Sequence, residues 1–140
     1  MKKIKVFILV ILLTLTGCQS KGKSNDRRYY EGYRNIFPTF DSCISNARFT
    51  QKREISYGKS YSYDYLLHNK SINDAETEIK EYISILEEYG LSVDTDYELD
   101  DAIIWGVYTA NERIGRFSVE ETEEDVKISV HPFDKAEPIS

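Results

Sequence analysis

Residues 102–130 read AIIWGVYTANERIGRFSVEETEEDVKISV, and this stretch decides the fold. Its first part, 102–110, is almost continuously apolar and rich in β-branched and aromatic residues, which predicts a central strand. Short polar connections separate it from two further predicted strands, 114–119 and 126–130. Pro132 is predicted to close the last strand, because proline cannot donate a hydrogen bond to a ladder. Three closely spaced strands of this kind indicate an antiparallel meander.

One segment before the meander has the pattern of an amphipathic helix. Its apolar side chains recur at three- and four-residue spacing, as on one face of a helix. They are Ala75, Ile79, Tyr82, Ile83, Leu86 and Tyr89. Asn73 and Glu76 resemble a capping box at the start, and Gly90 is predicted to end the helix in a left-handed conformation. We therefore expect a helix over 73–89.

Further strands are predicted on both sides of this helix. The tyrosines of 61–65 (YSYDY) alternate with polar residues, as in a half-buried strand. Residues 92–99 form a short strand in this interpretation, and 48–55 pair with the tyrosine strand as a hairpin. Residues 36–44 fit either a strand or a short helix. The predicted fold class is α+β, with about four to five antiparallel strands and one amphipathic helix packed on one face.

The first eighteen residues have the organisation of an export signal. Three of residues 2–5 are lysine, and 6–15 is an apolar stretch too short to cross a bilayer as a helix, which needs about 20 residues. The sequence Leu15-Thr16-Gly17-Cys18 resembles the lipobox of bacterial lipoproteins, which is a leucine, two small residues and a cysteine. The resemblance implies cleavage before Cys18 and attachment of a diacylglycerol to its thiol, and it implies nothing about the rest of the chain.

This resemblance divides the chain into three parts. Residues 1–17 are the cleaved signal peptide, 18–28 the lipidated cysteine with a flexible linker, and 29–140 a single domain. The linker carries a net charge of +3, whereas the domain carries −12, from 11 Lys and Arg against 23 Asp and Glu. A domain this acidic argues against nucleic acid as a partner. A basic linker suits an anionic membrane surface, although both charges also serve solubility alone.

The tyrosine content is the most unusual feature of the domain, since all eleven tyrosines lie beyond residue 28. Tyr61, Tyr63 and Tyr65 share one face of the predicted strand, and Trp105 and Tyr108 are expected near them. We predict these five residues as a binding surface, because flat rings with a polar edge suit protein interfaces and sugar stacking. The same alternation is also ordinary for a strand whose rings cover the edge of the core.

Residues with catalytic or metal-binding chemistry are few. Cys43 has no cysteine partner once the lipobox cysteine is acylated, and it is predicted to be a small buried hydrophobe. Neither histidine lies in a nucleophile motif, so a catalytic site requires Asp64, His68 and His131 to converge. The acidic stretch 94–101 fails the calcium-loop pattern, and no metal or other cofactor is predicted.

The sequence predicts a lipid-anchored protein on the extracytoplasmic face of a bacterial cell membrane. We interpret its domain as a non-catalytic binding module for a protein or glycan of the envelope. Two alternatives remain open, namely an envelope hydrolase built from the dispersed residues and an inhibitory module whose exposed sheet edge captures a partner strand. A sheet edge covered by the segment 29–60 would count against the second.

Overall fold

The computed structural model describes residues 27–55, 60–68 and 71–139. These residues contain a short helix α1 (Phe40–Cys43) and a longer helix α2 (Glu76–Glu88). The strands are β1 (Arg48–Ile55), β2 (Ser60–His68), β3 (Ser92–Leu99), β4 (Ala102–Tyr108), β5 (Glu112–Glu121) and β6 (Asp125–Pro138). Neighbouring strands are antiparallel and form one sheet in the order β1-β2-β6-β5-β4-β3.

The fold is mainly β, so the predicted α+β class with about four to five strands is wrong. The described sheet has six strands, and helix is limited to the 4 residues of α1 and the 13 residues of α2. Strand β1 is exposed over almost its whole length, so its sequence shows no apolar alternation. Strand β6 continues well beyond the predicted 126–130. Pairing with neighbours, rather than local pattern, orders β1 and extends β6.

Several local predictions are confirmed. Residues 102–130 form the antiparallel meander, although β4 lies next to an edge strand rather than at the centre of the sheet. The hairpin of 48–55 with the tyrosine strand is present, with Lys52 opposite Tyr63. Its predicted turn at 57–60 falls largely outside the described residues. Strand β3 matches the predicted 92–99.

Helix α2 is shorter at its start than predicted. It begins at Glu76 rather than near Asn73, because the intervening residues form a turn. Its end is as expected. Gly90 has a φ of 86°, and the N–H of Leu91 donates to the carbonyl oxygen of Leu86 at 3.1 Å. This is the geometry of a glycine-capped helix terminus.

The hydrophobic core lies on one side of the sheet, which we call the helix face; the other side is the open face. On the helix face, the buried ring of Tyr82 in α2 packs against the rings of Phe40 and Phe117, with centroids 4.8 and 5.5 Å away. The strands contribute buried side chains at alternate positions: Tyr65, Leu67, Val107, Phe117, Val119, Val126, Ile128 and Val130.

The segment before β1 completes this core. The N–H of Tyr30 donates to the carbonyl oxygen of Phe37 at 3.0 Å, closing a loop whose Tyr30 and Phe37 side chains are both buried. The hydroxyls of Tyr30 and Tyr65 share a hydrogen bond of 2.8 Å. Of the two predictions for 36–44, the short helix is correct for its second half, which forms α1.

Candidate functional site

The predicted tyrosine stripe lies on the helix face of β2, but its members differ in exposure. Tyr65 is 1% exposed and is enclosed by the core. Tyr61 and Tyr63, at the beginning of the strand, are half-buried. The ring of Tyr65 therefore supports the fold, whereas the rings of Tyr61 and Tyr63 border a cavity.

Trp105 and Tyr108 lie on opposite faces of β4. Trp105 stacks on Phe117 on the helix face, with ring centroids 4.8 Å apart and 19° between the planes. Tyr108 folds over Gly106 on the open face, where its hydroxyl lies 2.8 Å from the position that a Cβ on Gly106 would take. An odd separation along a strand places two side chains on opposite faces. The structure therefore does not bring the five predicted residues into one surface.

The cavity arises because β2 and β6 diverge. Their pairing runs only as far as Tyr63 and Val130. Beyond it, β2 stays paired with β1, while β6 pairs with β5 at Pro132 and again at 137–138, with 133–136 outside the ladder. Pro132 stands just past the last pair and has no N–H to donate. The prediction that Pro132 closes the strand is therefore wrong. What stops near Pro132 is the pairing with β2, while the strand itself continues.

We call the resulting cavity the fork cleft. It has a volume of about 790 Å³, within the usual range of ligand sites. Its principal lining residues are Tyr61, Tyr63 and Lys52 on the β1–β2 wall, Glu31 and Tyr33 on the wall formed by the loop before α1, and Asp134 on β6. Only the two tyrosines belong to the predicted binding surface.

Lys52 lies over the two cleft tyrosines. Its Nζ is 4.2 Å from the ring centroid of Tyr61 and 5.6 Å from that of Tyr63. The rings attract the ammonium group through their negative faces but bring no formal charge. Within the described part of the chain, no carboxylate forms an ion pair with Lys52.

The other walls of the cleft are acidic. Glu31 and Asp134 are exposed, and neither makes an ion pair with another described residue. Burial, together with the carboxylates of Glu112 and Asp134, raises the pKa of Tyr33. The hydroxyl of Tyr33 donates to the carbonyl oxygen of Phe133 at 2.7 Å, which ties the loop to β6. The cleft thus has one cationic wall and two anionic ones.

The loop wall depends on a glycine. The N–H of Tyr33 donates to the carbonyl oxygen of Tyr30 at 2.9 Å, and Gly32 within this turn has a φ of 88°. Such a backbone conformation is open to glycine and costly for most other residues. Gly32 therefore sets the path of the loop that carries Glu31 to the cleft.

Asp64 lies on the open face of β2, with its side chain fully buried. Its carboxylate accepts hydrogen bonds from Arg53 Nε (2.7 Å) and Nη2 (3.1 Å), from Gln51 (2.9 Å) and from Ser129 (2.8 Å). Burial alone raises the pKa of Asp64, but these hydrogen bonds outweigh burial and lower it. The group is an ionised, fully engaged carboxylate.

His68 lies far from the other residues of the predicted catalytic set. Its exposed ring bonds to Asp125 at 3.0 Å and to Arg48 at 3.3 Å. His68 is opposite Asp125 in the sheet, and His131 follows six residues later on β6. At about 3.3 Å per residue, the two histidines are separated by about 20 Å. Asp64, His68 and His131 do not converge, so the hydrolase alternative lacks the site that it requires.

Ser60 and His131 form a contact that no sequence motif indicated. His131 Nε2 lies 3.3 Å from Ser60 Oγ, and the Ser60 hydroxyl also donates to the carbonyl oxygen of Ile55 at 3.4 Å. Burial, with Arg116 and Arg53 nearby, lowers the pKa of His131. A nucleophilic pair needs its base oriented by a third group, and no carboxylate of the described residues bonds to this histidine. The contact instead joins β2 to β6 on the open face.

The remaining candidates for a reactive or metal-binding site are the thiol of Cys43 and the acidic side chains. Cys43 is half-buried against the core, and burial raises the pKa of its thiol to about 12, so it stays protonated. Within the described ranges, no three His, Cys, Asp or Glu side chains are placed to hold a metal ion. The stretch 94–101, considered above for calcium, falls largely in β3.

The sheet has two free edges, β1 and β3. The segment 29–60 contains β1 and therefore forms one of these edges itself. The acidic residues Asp94, Asp96 and Glu98 lie along β3, and Asp96 forms an ion pair with Arg113. Charged residues along an edge strand disfavour pairing with another strand. The β3 edge is thus exposed but poorly suited to strand capture.

The linker meets the domain at the end of α2. The hydroxyl of Tyr29 shares a 2.9 Å hydrogen bond with that of Tyr89, and Arg27 Nη1 donates to the Tyr89 hydroxyl at 3.4 Å. The Arg27 guanidinium also lies 5.9 Å from the Tyr89 ring centroid. The chain therefore enters the described structure only a few residues before Glu31 of the fork cleft.

Residues 1–19 match the family model of the prokaryotic membrane lipoprotein lipid attachment site. This match identifies the protein as a lipid-anchored membrane lipoprotein. It confirms the lipobox signal peptide predicted at residues 1–18. Cys18 and the whole signal lie outside the described residues. Comparisons with curated proteins and with solved structures found no match. No helix in the described part of the chain is long and apolar enough to cross a bilayer.

Proposed function

We propose that this lipoprotein is a non-catalytic binding module on the extracytoplasmic face of the cell membrane, and that it holds an envelope component in the fork cleft. The observation that carries the proposal is the divergence of β2 and β6 at Tyr63 and Val130. This divergence opens a cavity of ligand size, lined by β1, β2, β6 and the loop before α1.

The chemistry of the cleft walls favours binding. Tyr61 and Tyr63 present amphipathic rings that are enriched at protein interfaces. Lys52, Glu31 and Asp134 add charges that no described neighbour neutralises. The side chains on the strand wall are placed by paired strands rather than by a free loop, which limits the entropy lost when a ligand binds.

The placement of the acid–base residues favours a non-catalytic role. Asp64 uses its carboxylate in four hydrogen bonds with neighbours, and His68 is about 20 Å from His131. The Ser60–His131 contact has no orienting carboxylate among the described residues. These groups tie strands together and do not form a general acid–base pair in the cleft.

The short linker suits a ligand near the membrane. Eight residues separate Cys18 from Arg27, and a fully extended chain over those nine residue steps spans about 30 Å. Because Arg27 is held at the end of α2, the fork cleft stays close to the lipid anchor.

Site-specific photocrosslinking in cells tests the proposal. A photoreactive amino acid replaces Tyr61 in the full-length lipidated protein, and the matched control carries it at Glu88, an exposed position on α2. We expect a defined crosslinked adduct from position 61 that is absent from position 88. Adding Lys52→Glu to the Tyr61 variant should reduce that adduct.

Two results would contradict the proposal. One is equal crosslinking from positions 61 and 88, because the fork cleft would then hold no particular component. The other is saturable turnover of an envelope substrate by the purified lipoprotein, with loss of that turnover in Ser60→Ala or His131→Ala. Both measurements leave the lipid anchor unchanged.

A further inference from the structure

The walls of the fork cleft carry charges of opposite sign. Lys52 stands on the β1–β2 wall, while Glu31 and Asp134 stand on the loop and β6 walls. All three side chains are exposed, and none makes an ion pair with another described residue. A ligand of one sign would be repelled by part of the cleft, whereas a ligand with both signs would meet a complementary charge on each side.

The backbone of the cleft has a matching feature. Beyond the Tyr63–Val130 pair, β2 and β6 have no register with each other, although each keeps its outer neighbour. The strand edges that face the fork therefore lie outside the β2–β6 ladder, although the Ser60–His131 side-chain contact still joins the strands and the Phe133 carbonyl oxygen accepts from the Tyr33 hydroxyl. An extended peptide is the kind of ligand that pairs with such edges through its main chain.

The aromatic wall favours a peptide over a glycan. Sugar rings bind tyrosine by stacking on an open ring face. Here Lys52 Nζ lies 4.2 Å from the Tyr61 centroid and so takes up one face of that ring. A ligand that approaches from this side meets an ammonium group, which calls for a carboxylate rather than for a sugar face.

We propose that the fork cleft binds an extended segment of a partner protein that carries one acidic and one basic side chain. The acidic side chain lies against Lys52, and the basic one lies against Glu31 and Asp134. This inference rests on the proposed function and narrows the envelope component to a peptide with a defined order of charges.

Peptide selection with a charge-inverted variant tests the inference. The full-length lipidated protein in lipid nanodiscs selects from a library of seven-residue peptides with blocked ends. We expect the selected peptides to share an acidic and a basic residue at a constant spacing. The variant Lys52→Glu, Glu31→Lys, Asp134→Lys should bind them roughly tenfold more weakly, and exchanging the acidic and basic residues in the peptide should restore the affinity.

The matched control has the same change in net charge outside the cleft. Lys80→Glu, Glu87→Lys, Glu88→Lys alters exposed residues of α2 and should bind the selected peptides as the wild type does. Equal urea midpoints for the two triple variants and the wild type exclude a folding effect, and all six positions are exposed.

Three outcomes would overturn the inference: an empty selection, selected peptides that are indifferent to charge inversion, or equal losses in both triple variants. A neutral oligosaccharide of N-acetylglucosamine serves as the glycan probe, and its Tyr61-dependent binding would assign the cleft to glycans instead. If crosslinking from position 61 succeeds while the peptide selection fails, the binding module stands and only the peptide is lost. If both fail, the proposed function falls as well.

Discussion

The two ends of strand β2 carry the same residue type on the same face but have different environments. Near its C-terminal end, Tyr65 lies between paired strands beneath the core layer and is 1% exposed. At its N-terminal end, Tyr61 has β1 on one side and the fork on the other, and its ring is half-buried. Alternation therefore determines the face of a strand on which a side chain lies, whereas long-range pairing determines whether that face is covered.

The largest expected effect contrasts the two ends directly. Tyr65→Ala should lower the free energy of unfolding by about 3–5 kcal/mol, because it leaves a cavity in the core. Tyr61→Ala should lower it by less than about 1 kcal/mol, because its ring borders solvent. Urea unfolding measures both, followed by the fluorescence of Trp105, the single tryptophan of the chain. Equal losses would mean that the fork cleft is part of the core.

A second prediction concerns the ion pair between Arg53 and Asp64 on the open face. Arg53→Ala removes two hydrogen bonds from the buried Asp64 carboxylate and should cost about 2 kcal/mol. The side chain of Arg53 is 42% exposed, so water partly replaces it and the loss stays below that of a fully buried pair. Arg48→Ala, on the same strand, is the control and should cost less, because Arg48 bonds to the exposed ring of His68 rather than to a buried carboxylate. If Arg53→Ala lowered the free energy of unfolding by less than Arg48→Ala, the Arg53–Asp64 ion pair would not have the stabilising role described here.

The same carboxylate gives this prediction a pH dependence. The folded-state pKa of Asp64 is lowered, so its contribution to stability is fully present above the unfolded value of about 3.9. That contribution is lost as the pH falls through the folded-state pKa. Unfolding of Asp64→Asn should therefore depend less on pH below about pH 4 than unfolding of the wild type. If the stability of Asp64→Asn and that of the wild type fell equally with pH below about pH 4, this prediction would be refuted.

A third prediction tests the packing behind the fork. A Cβ on Gly115 would lie 2.8 Å from the carbonyl oxygen of His131 and 3.0 Å from the ring of Phe37. Gly115→Ala should therefore cost about 1.5 kcal/mol and displace β6 at the cleft. Gly106→Ala is the control, because its close neighbour is the movable end of the Tyr108 side chain. Thermal unfolding of the pair should show the larger fall in midpoint for Gly115→Ala.

The smallest expected effect isolates one hydroxyl. Tyr65→Phe keeps the buried ring but removes its 2.8 Å hydrogen bond with Tyr30. We expect a loss of about 1 kcal/mol, because the Tyr30 hydroxyl still accepts a hydrogen bond from the N–H of Phe40. Tyr61→Phe, tested by the same urea titration, should be close to neutral. A Tyr65→Phe variant as stable as the wild type would contradict a stabilising role for this hydrogen bond.

Local sequence patterns predicted several elements well. The period-two tyrosines placed β2, and the apolar stripe with Gly90 placed α2 and its end. The opposite faces of Trp105 and Tyr108 also follow from their odd separation along β4.

Other features had little or no local signal. Strand β1, predicted with these bounds as the hairpin partner of the tyrosine strand, is exposed along RFTQKREI and is ordered by pairing with β2. The fork forms because β6 loses its pairing with β2 near Pro132 while it still pairs with β5 there. Which strands pair at this point depends on the whole sheet rather than on the local sequence. Lys52, Glu31 and Asp134 meet at one cavity from three separate segments, so no motif could join them.

The contact of Arg27 and Tyr29 with Tyr89 also has a consequence for affinity. A domain separated from its lipidated cysteine by eight residues stays in a thin layer above the membrane, and a tether this short gives effective concentrations on the order of millimolar. Under the proposed function, a partner held in the same layer would be bound even at weak intrinsic affinity. Complexes of the protein are therefore best sought on intact membranes.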